Sequence, residues 1–143
     1  MGLKVETKYL GGMKFGSEAR GHTILCDLPQ VDGGEDTAPT PAETLLAALG
    51  SCTGMNVASY CKARELDPSG ISITVTGEKT KAPGRIESIV VQVLIPARFS
   101  EKDRLGIQRT ADRCFIKNTL LMAPSILTEV IEGEGNPPSS EQR

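Results

Sequence analysis

The amino-acid sequence predicts an α+β fold. Three observations carry that prediction: strand-like alternation in the N-terminal third, one long apolar helix opening at Thr40, and a β-hairpin pattern beyond residue 70. The predicted element order is βββ-α-ββ-α-(α)-β, two antiparallel segments separated by a helix. At 143 residues the chain has the size of one domain, expected over residues 1–132. Residues 133–143 are polar and carry two prolines, and are expected to form a disordered tail.

The first strand is predicted from Leu3, Val5 and Thr7, which alternate with polar residues. Gly11-Gly12 turns the chain into a second strand at Met13-Lys14-Phe15, and the Arg20-Gly21 break leads into a third, His22 to Leu28. Residues 29–39, rich in Gly, Asp and Pro, form a loop. The long helix begins with a strong signal: Thr40-Pro41-Ala42-Glu43 supplies a capping hydroxyl, a proline in the first turn and a carboxylate three residues after the cap. Leu45, Leu49, Cys52 and Met55 recur at spacings of three and four and are predicted to share one face. Gly50 and Gly54 are two small residues one turn apart, which lets another element approach closely. The helix is expected to end near Arg64, before Asp67-Pro68-Ser69-Gly70.

A strand over 71–76, the turn Ala82-Pro83-Gly84 and a return from Ile86 to Ile95 make the hairpin. Ser100-Glu101-Lys102-Asp103 opens a second helical stretch that runs past Cys114 to about Met122, with a break near that cysteine. Ile126 to Ile131 is predicted as a last short strand.

Composition narrows the function classes. A net charge of −2 with interspersed signs, no Trp and few aromatics provide neither a basic stripe nor stacking platforms, so no nucleic-acid partner is expected. Met1 to Glu6 holds no apolar leader, and no run of 18 apolar residues occurs, so a cytoplasmic protein without a membrane span is expected. The thin aromatic supply favours an oligomer that shares a core. In a reducing compartment the four cysteines, at 26, 52, 61 and 114, are expected to be free thiols, and a disulfide there would be catalytic rather than structural. They include no C-x-x-C pair and the chain has one histidine, His22, so no metal site is expected. His22, Asp27 and Asp36 have no triad or metal-ligand spacing, and Gly33-Gly34 lacks the context of a phosphate loop.

The residues with chemistry to offer are Cys52 and Cys114. A free cysteine inside a helix commonly packs as a small hydrophobe. To act as a nucleophile it needs its thiolate stabilised by a cation or by several donors. Cys114, between Arg113 and Phe115, has the same two readings. If the two helices pack so that both sulfurs meet, Cys52 can attack a peroxide to give a sulfenic acid, and Cys114 can condense with it to a disulfide. Glu43 is accounted for as the capping-box carboxylate and is also able to orient an arginine. Arg20, among small residues at a strand edge, is either a solvated side chain or that arginine. Cys26, in the third strand, and Cys61, near the end of the helix, are expected to be structural.

From Thr40 to Cys52 the sequence, Thr-Pro-Ala-Glu-Thr-Leu-Leu-Ala-Ala-Leu-Gly-Ser-Cys, resembles the OsmC/Ohr family of osmotically inducible and organic hydroperoxide resistance proteins. The family pattern there is Pro-Glu or Pro-x-Glu, an apolar Leu-Leu-Ala-Ala-like run and a peroxidatic cysteine. Its second element is a cysteine usually followed by Pro. Here it is Cys114-Phe115-Ile116-Lys117-Asn118-Thr119-Leu120, with Phe115 in the place of that proline. The Pro-x-Glu form is more similar to the OsmC-like branch than to Ohr.

The resemblance implies an intertwined homodimer whose antiparallel sheets wrap around the long central helices. It implies reduction of organic hydroperoxides to alcohols, without cofactor or metal, with a dithiol such as a lipoyl protein as reductant. By position it makes Cys52 the peroxidatic cysteine, Cys114 the resolving cysteine, Glu43 the carboxylate that holds the catalytic arginine, and Arg20 that arginine. A non-catalytic module that binds an apolar ligand, and a redox sensor, are the alternatives on the same fold.

Overall fold

A computed structural model describes residues 2–135 of the chain. It has the predicted α+β character, with five strands in two antiparallel sheets and three α-helices among the described residues. The described residues divide into two compact units, one of residues 2–44 with 127–135, the other of residues 45–126.

The first unit holds a three-stranded meander, β1 (Glu6–Gly11), β2 (Lys14–Ala19) and β3 (His22–Cys26), in the order β1-β2-β3. Both turns use backbone in the left-handed region, at Gly11 and Gly12 (φ 107° and 55°) and at Arg20 and Gly21 (φ 52° and 83°). Tyr9 pairs with Phe15 across the first ladder, their ring centroids 5.5 Å apart. β1 begins at Glu6 rather than at Leu3, which stands 94% exposed. The loop after β3 is organised by buried Asp27, whose carboxylate accepts from Leu28 N–H at 2.8 Å, Thr37 N–H at 3.0 Å and the Thr37 hydroxyl at 2.7 Å. Those hydrogen bonds, the Thr37 hydroxyl's first, hold the Asp27 pKa down at about 2. Gly34 is required there, because a Cβ would fall 2.0 Å from the Leu28 carbonyl oxygen.

Helix α1 (Pro41–Ala63) starts in the first unit and runs through the second. Its start is the predicted capping box: Thr40 Oγ1 accepts from Glu43 N–H at 3.2 Å, and Glu43 Oε2 accepts from Thr40 N–H at 2.8 Å.

In the second unit α1 meets the hairpin of β4 (Ser72–Lys81) and β5 (Gly84–Leu94), then α2 (Glu101–Ala111) and α3 (Phe115–Leu121). Gly50 and Gly54 do bring a strand close. A Cβ on Gly50 would lie 3.2 Å from Val75 Cγ2, and one on Gly54 3.5 Å from Ile73 Cγ1. Gly106 on α2 lies under the Tyr60 ring, where a Cβ would fall 2.1 Å from the phenol oxygen. Val57, Cys61, Phe99 and Ile107 form the buried core, with Tyr60, Ile71, Val93 and Ile95 packed around it. Each fully buried aliphatic or aromatic side chain of this set contributes roughly 1.5–3 kcal/mol.

Two expectations are corrected. The buried stripe of α1 is Leu49, Thr53, Val57 and Cys61, not Leu45-Leu49-Cys52-Met55; Met55 is 69% exposed. In a helix apolar on most sides, periodicity does not choose the face; the approach of β4 at Gly50 and Gly54 does. Residues 126–131 form no strand, and Ile126, Leu127, Val130 and Ile131 are 82–97% exposed. A strand needs a neighbour to take its backbone groups, and among the described residues this segment has no ladder. Of the expected tail, 136–143 lie outside the described residues.

Candidate two-cysteine site

The second unit brings Cys52 and Cys114 together. Cys52 lies on α1 one residue before buried Thr53 and is half-buried. Cys114 is fully buried and occupies the break between α2 and α3, where the chain leaves helical geometry (φ −77°, ψ 127°) and Cys114 becomes the cap of α3. Its sulfur accepts from Lys117 N–H at 3.5 Å. Cys52 and Thr53 are hydrogen-bonding neighbours of the same sulfur through their side chains, as is Ile116 through its N–H.

These contacts decide the protonation of Cys114. Burial pushes its pKa up, but the Lys117 N–H, the Cys52 thiol, the Thr53 hydroxyl and the Ile116 N–H together outweigh it and bring the pKa below 9.0. The Thr53 hydroxyl also reaches the Leu49 carbonyl at 3.0 Å, so it has a partner in either protonation state of the sulfur. Cys61 is the contrast. It is just as buried, and desolvation raises its pKa.

The segment carrying Cys114 is braced on both sides. Asn56 Nδ2 donates to the Arg113 carbonyl at 3.0 Å, and Lys117 Nζ pairs with Asp112 Oδ1 at 2.7 Å. A cleft of about 220 Å³ in this unit is lined by Thr53, a neighbour of the Cys114 sulfur, with Val91, Gln108, Asp112 and Lys117 among others. A neighbouring, mainly apolar groove of about 300 Å³ is lined by Leu49, Ile86, Ile89, Val91, Leu120 and Leu121 together with Glu87, Ser88 and Lys117.

The other two candidate residues belong to the first unit. Glu43 is exposed, and its carboxylate serves the cap of α1; among the described residues it forms no ion pair. Arg20 is exposed on the β2–β3 turn. Cys26 Sγ lies 3.4 Å from Thr44 Oγ1 within that unit, and Cys61 packs in the core of the other.

Thr53, Asn56 and the cap at Cys114 were not among the site residues expected from the sequence. The signal for the cap was present: a residue able to accept through its side chain, at the end of one helical stretch and immediately before the next.

Fold and site together define an α+β protein with two neighbouring thiols, one on a long helix and one at the break that heads another. Residues 33–129 match the family described as OsmC-like protein. Protein YhfA of Escherichia coli strain K12 is 29% identical over 85 residues, covering 59% of this chain; the chain spans 60% of the length of that relative. A Psychrobacter arcticus 273-4 protein named for osmotic-stress induction and a detoxification response shares the fold, with a TM-score of 0.76 at 20% identity over 83% of this chain and 89% of that one. The organic hydroperoxide resistance protein OsmC of Legionella pneumophila does so with a TM-score of 0.61 at 14% identity, over 84% and 89%. The chain belongs to the OsmC family of OsmC-like proteins.

Proposed function

We propose that the protein is a thiol peroxidase that reduces organic hydroperoxides to alcohols through Cys52 and Cys114. The observation that carries this reading is the proximity of the two thiols, 62 residues apart in the sequence. Membership of the OsmC family and the fold shared with a protein named for organic hydroperoxide resistance support it.

The roles follow from burial. Cys52 is the more open sulfur, so the peroxide meets it first. Its thiolate attacks the outer peroxide oxygen, and the O–O bond breaks. Sulfur loses two electrons, Cys52 becomes a sulfenic acid, and the alkoxide takes a proton and leaves as alcohol. The Cys114 thiolate, favoured by the Lys117 and Ile116 N–H groups and the Thr53 hydroxyl, then attacks the Cys52 sulfur. The S–O bond breaks, the hydroxyl departs as water with one proton, and a disulfide remains. A dithiol reductant, lipoyl protein among the candidates, restores both thiols by exchange.

Arg20 is the proposed cation for the Cys52 thiolate, oriented by Glu43. The capping bond uses Oε2 of Glu43, which leaves Oε1 able to accept from a guanidinium. The alkyl part of the substrate would lie along the apolar groove that begins at Leu49, one turn before Cys52. Exposed Met55, Phe115, Leu121 and Met122 support assembly as a homodimer.

The test is turnover of cumene hydroperoxide with dihydrolipoamide. The protein should consume peroxide and dithiol in equal amounts, Cys52→Ser should abolish consumption, and Arg20→Ala should slow it. Wild-type turnover no faster than that of Cys52→Ser would reject the reading.

A further inference from the structure

We propose that Asn56 is a positioning residue that holds the backbone at Cys114 in bonding range of Cys52. The inference rests on the two-cysteine reading for the disulfide alone and needs no peroxide chemistry.

Asn56 stands four residues after Cys52 on α1, so its side chain leaves the same side of the helix one turn further on. Its Nδ2 donates to the Arg113 carbonyl at 3.0 Å, across 57 residues of sequence. That carbonyl falls between two helical ladders. The α2 ladder closes with Asp112 N–H on Gln108 and Arg113 N–H on Thr110, at 3.1 Å each, and the α3 ladder opens with Asn118 N–H on the Cys114 carbonyl at 2.9 Å. Neither ladder supplies a donor to the carbonyl of residue 113, and the Asn56 amide does.

The consequence is geometric. The peptide unit that begins at the Arg113 carbonyl ends at the nitrogen of Cys114, so a bond to one end fixes the other. A disulfide requires Cα atoms within about 7 Å and Cβ vectors that converge, and backbone drift at the break would lose both. The Lys117–Asp112 pair braces the same break, but it ties α3 to the end of α2. Asn56 ties that break to the helix bearing Cys52.

The test equilibrates wild type and variants over a series of reduced-to-oxidised dithiothreitol ratios and quantifies the Cys52–Cys114-linked peptide by mass. Asn56→Ala favours the helix and should fold. It should lower the disulfide equilibrium constant by about tenfold, the worth of a typical hydrogen bond. Iodoacetamide should still alkylate Cys52 within about twofold of the wild-type rate, since that sulfur keeps its place on α1. Asn56→Gln and Asn56→Glu, matched in size and differing in the donor, decide the point independently: Gln should retain more of the disulfide than Glu. An Asn56→Ala constant within about twofold of wild type, or equal constants for Gln and Glu, would overturn the proposal. A fall in the constant supports the clamp whether or not hydroperoxide is turned over, so its failure and that of the peroxidase reading are separate results.

Discussion

The thiol of Cys52 on α1 is a hydrogen-bonding neighbour of the Cys114 sulfur at the head of α3. Two features produce that contact. The break between α2 and α3 points the second sulfur inward, and Thr53 beside Cys52 turns a polar group into the buried stripe of α1.

The cap at Cys114 predicts a split between two substitutions that both remove the sulfur. Serine caps helices well, so Cys114→Ser should stay close to wild-type stability while losing the disulfide. Alanine lacks an acceptor, and Cys114→Ala should cost about 0.5–2 kcal/mol through the lost cap alone. Urea unfolding of both variants under reducing conditions measures the difference.

The thiolate at position 114 should be visible in a titration. With its pKa below 9.0, Cys114 should ionise before Cys61, whose pKa is raised, and the thiolate absorbance near 240 nm should rise in separate steps. Cys52→Ala removes one donor and Thr53→Val another, and each should move the Cys114 step to higher pH. Because the folded pKa lies below the unfolded one, ionisation adds stability as pH rises from the folded value toward 9.0, and that gain is lost as pH falls through the folded value.

Asp27 sets an acid limit for the loop of the first unit. Its folded pKa of about 2 lies below the ordinary 3.8, so its stabilising effect is present above 3.8 and is lost as pH falls toward 2. Asp27→Asn should be less stable than wild type at neutral pH, and the gap should close across that window. Thermal melts at stepped pH values give the comparison.

Much of this was legible in the sequence because local signals were strong. Thr40-Pro41-Ala42-Glu43 fixes the start of α1, Ala82-Pro83-Gly84 the hairpin turn, and Ser100 the start of α2, where its hydroxyl accepts from Asp103 N–H at 3.1 Å. The pairing of Cys52 with Cys114 was legible as a possibility that packing had to realise. Which face of α1 is buried was not, because an apolar helix leaves that choice to β4. The backbone donors to Cys114, the Lys117 and Ile116 N–H groups, were hidden for a related reason: N–H groups at a helix start have no side-chain signature. Ile126 to Ile131 has strand-like composition, yet composition does not supply the neighbour a strand requires.

The most direct measurement of the central claim is mass spectrometry of the protein after one equivalent of cumene hydroperoxide. The account predicts a peptide linked between Cys52 and Cys114, with Cys26 and Cys61 still free thiols. Recovery of all four thiols unmodified, or of a disulfide joining any other pair, would contradict it.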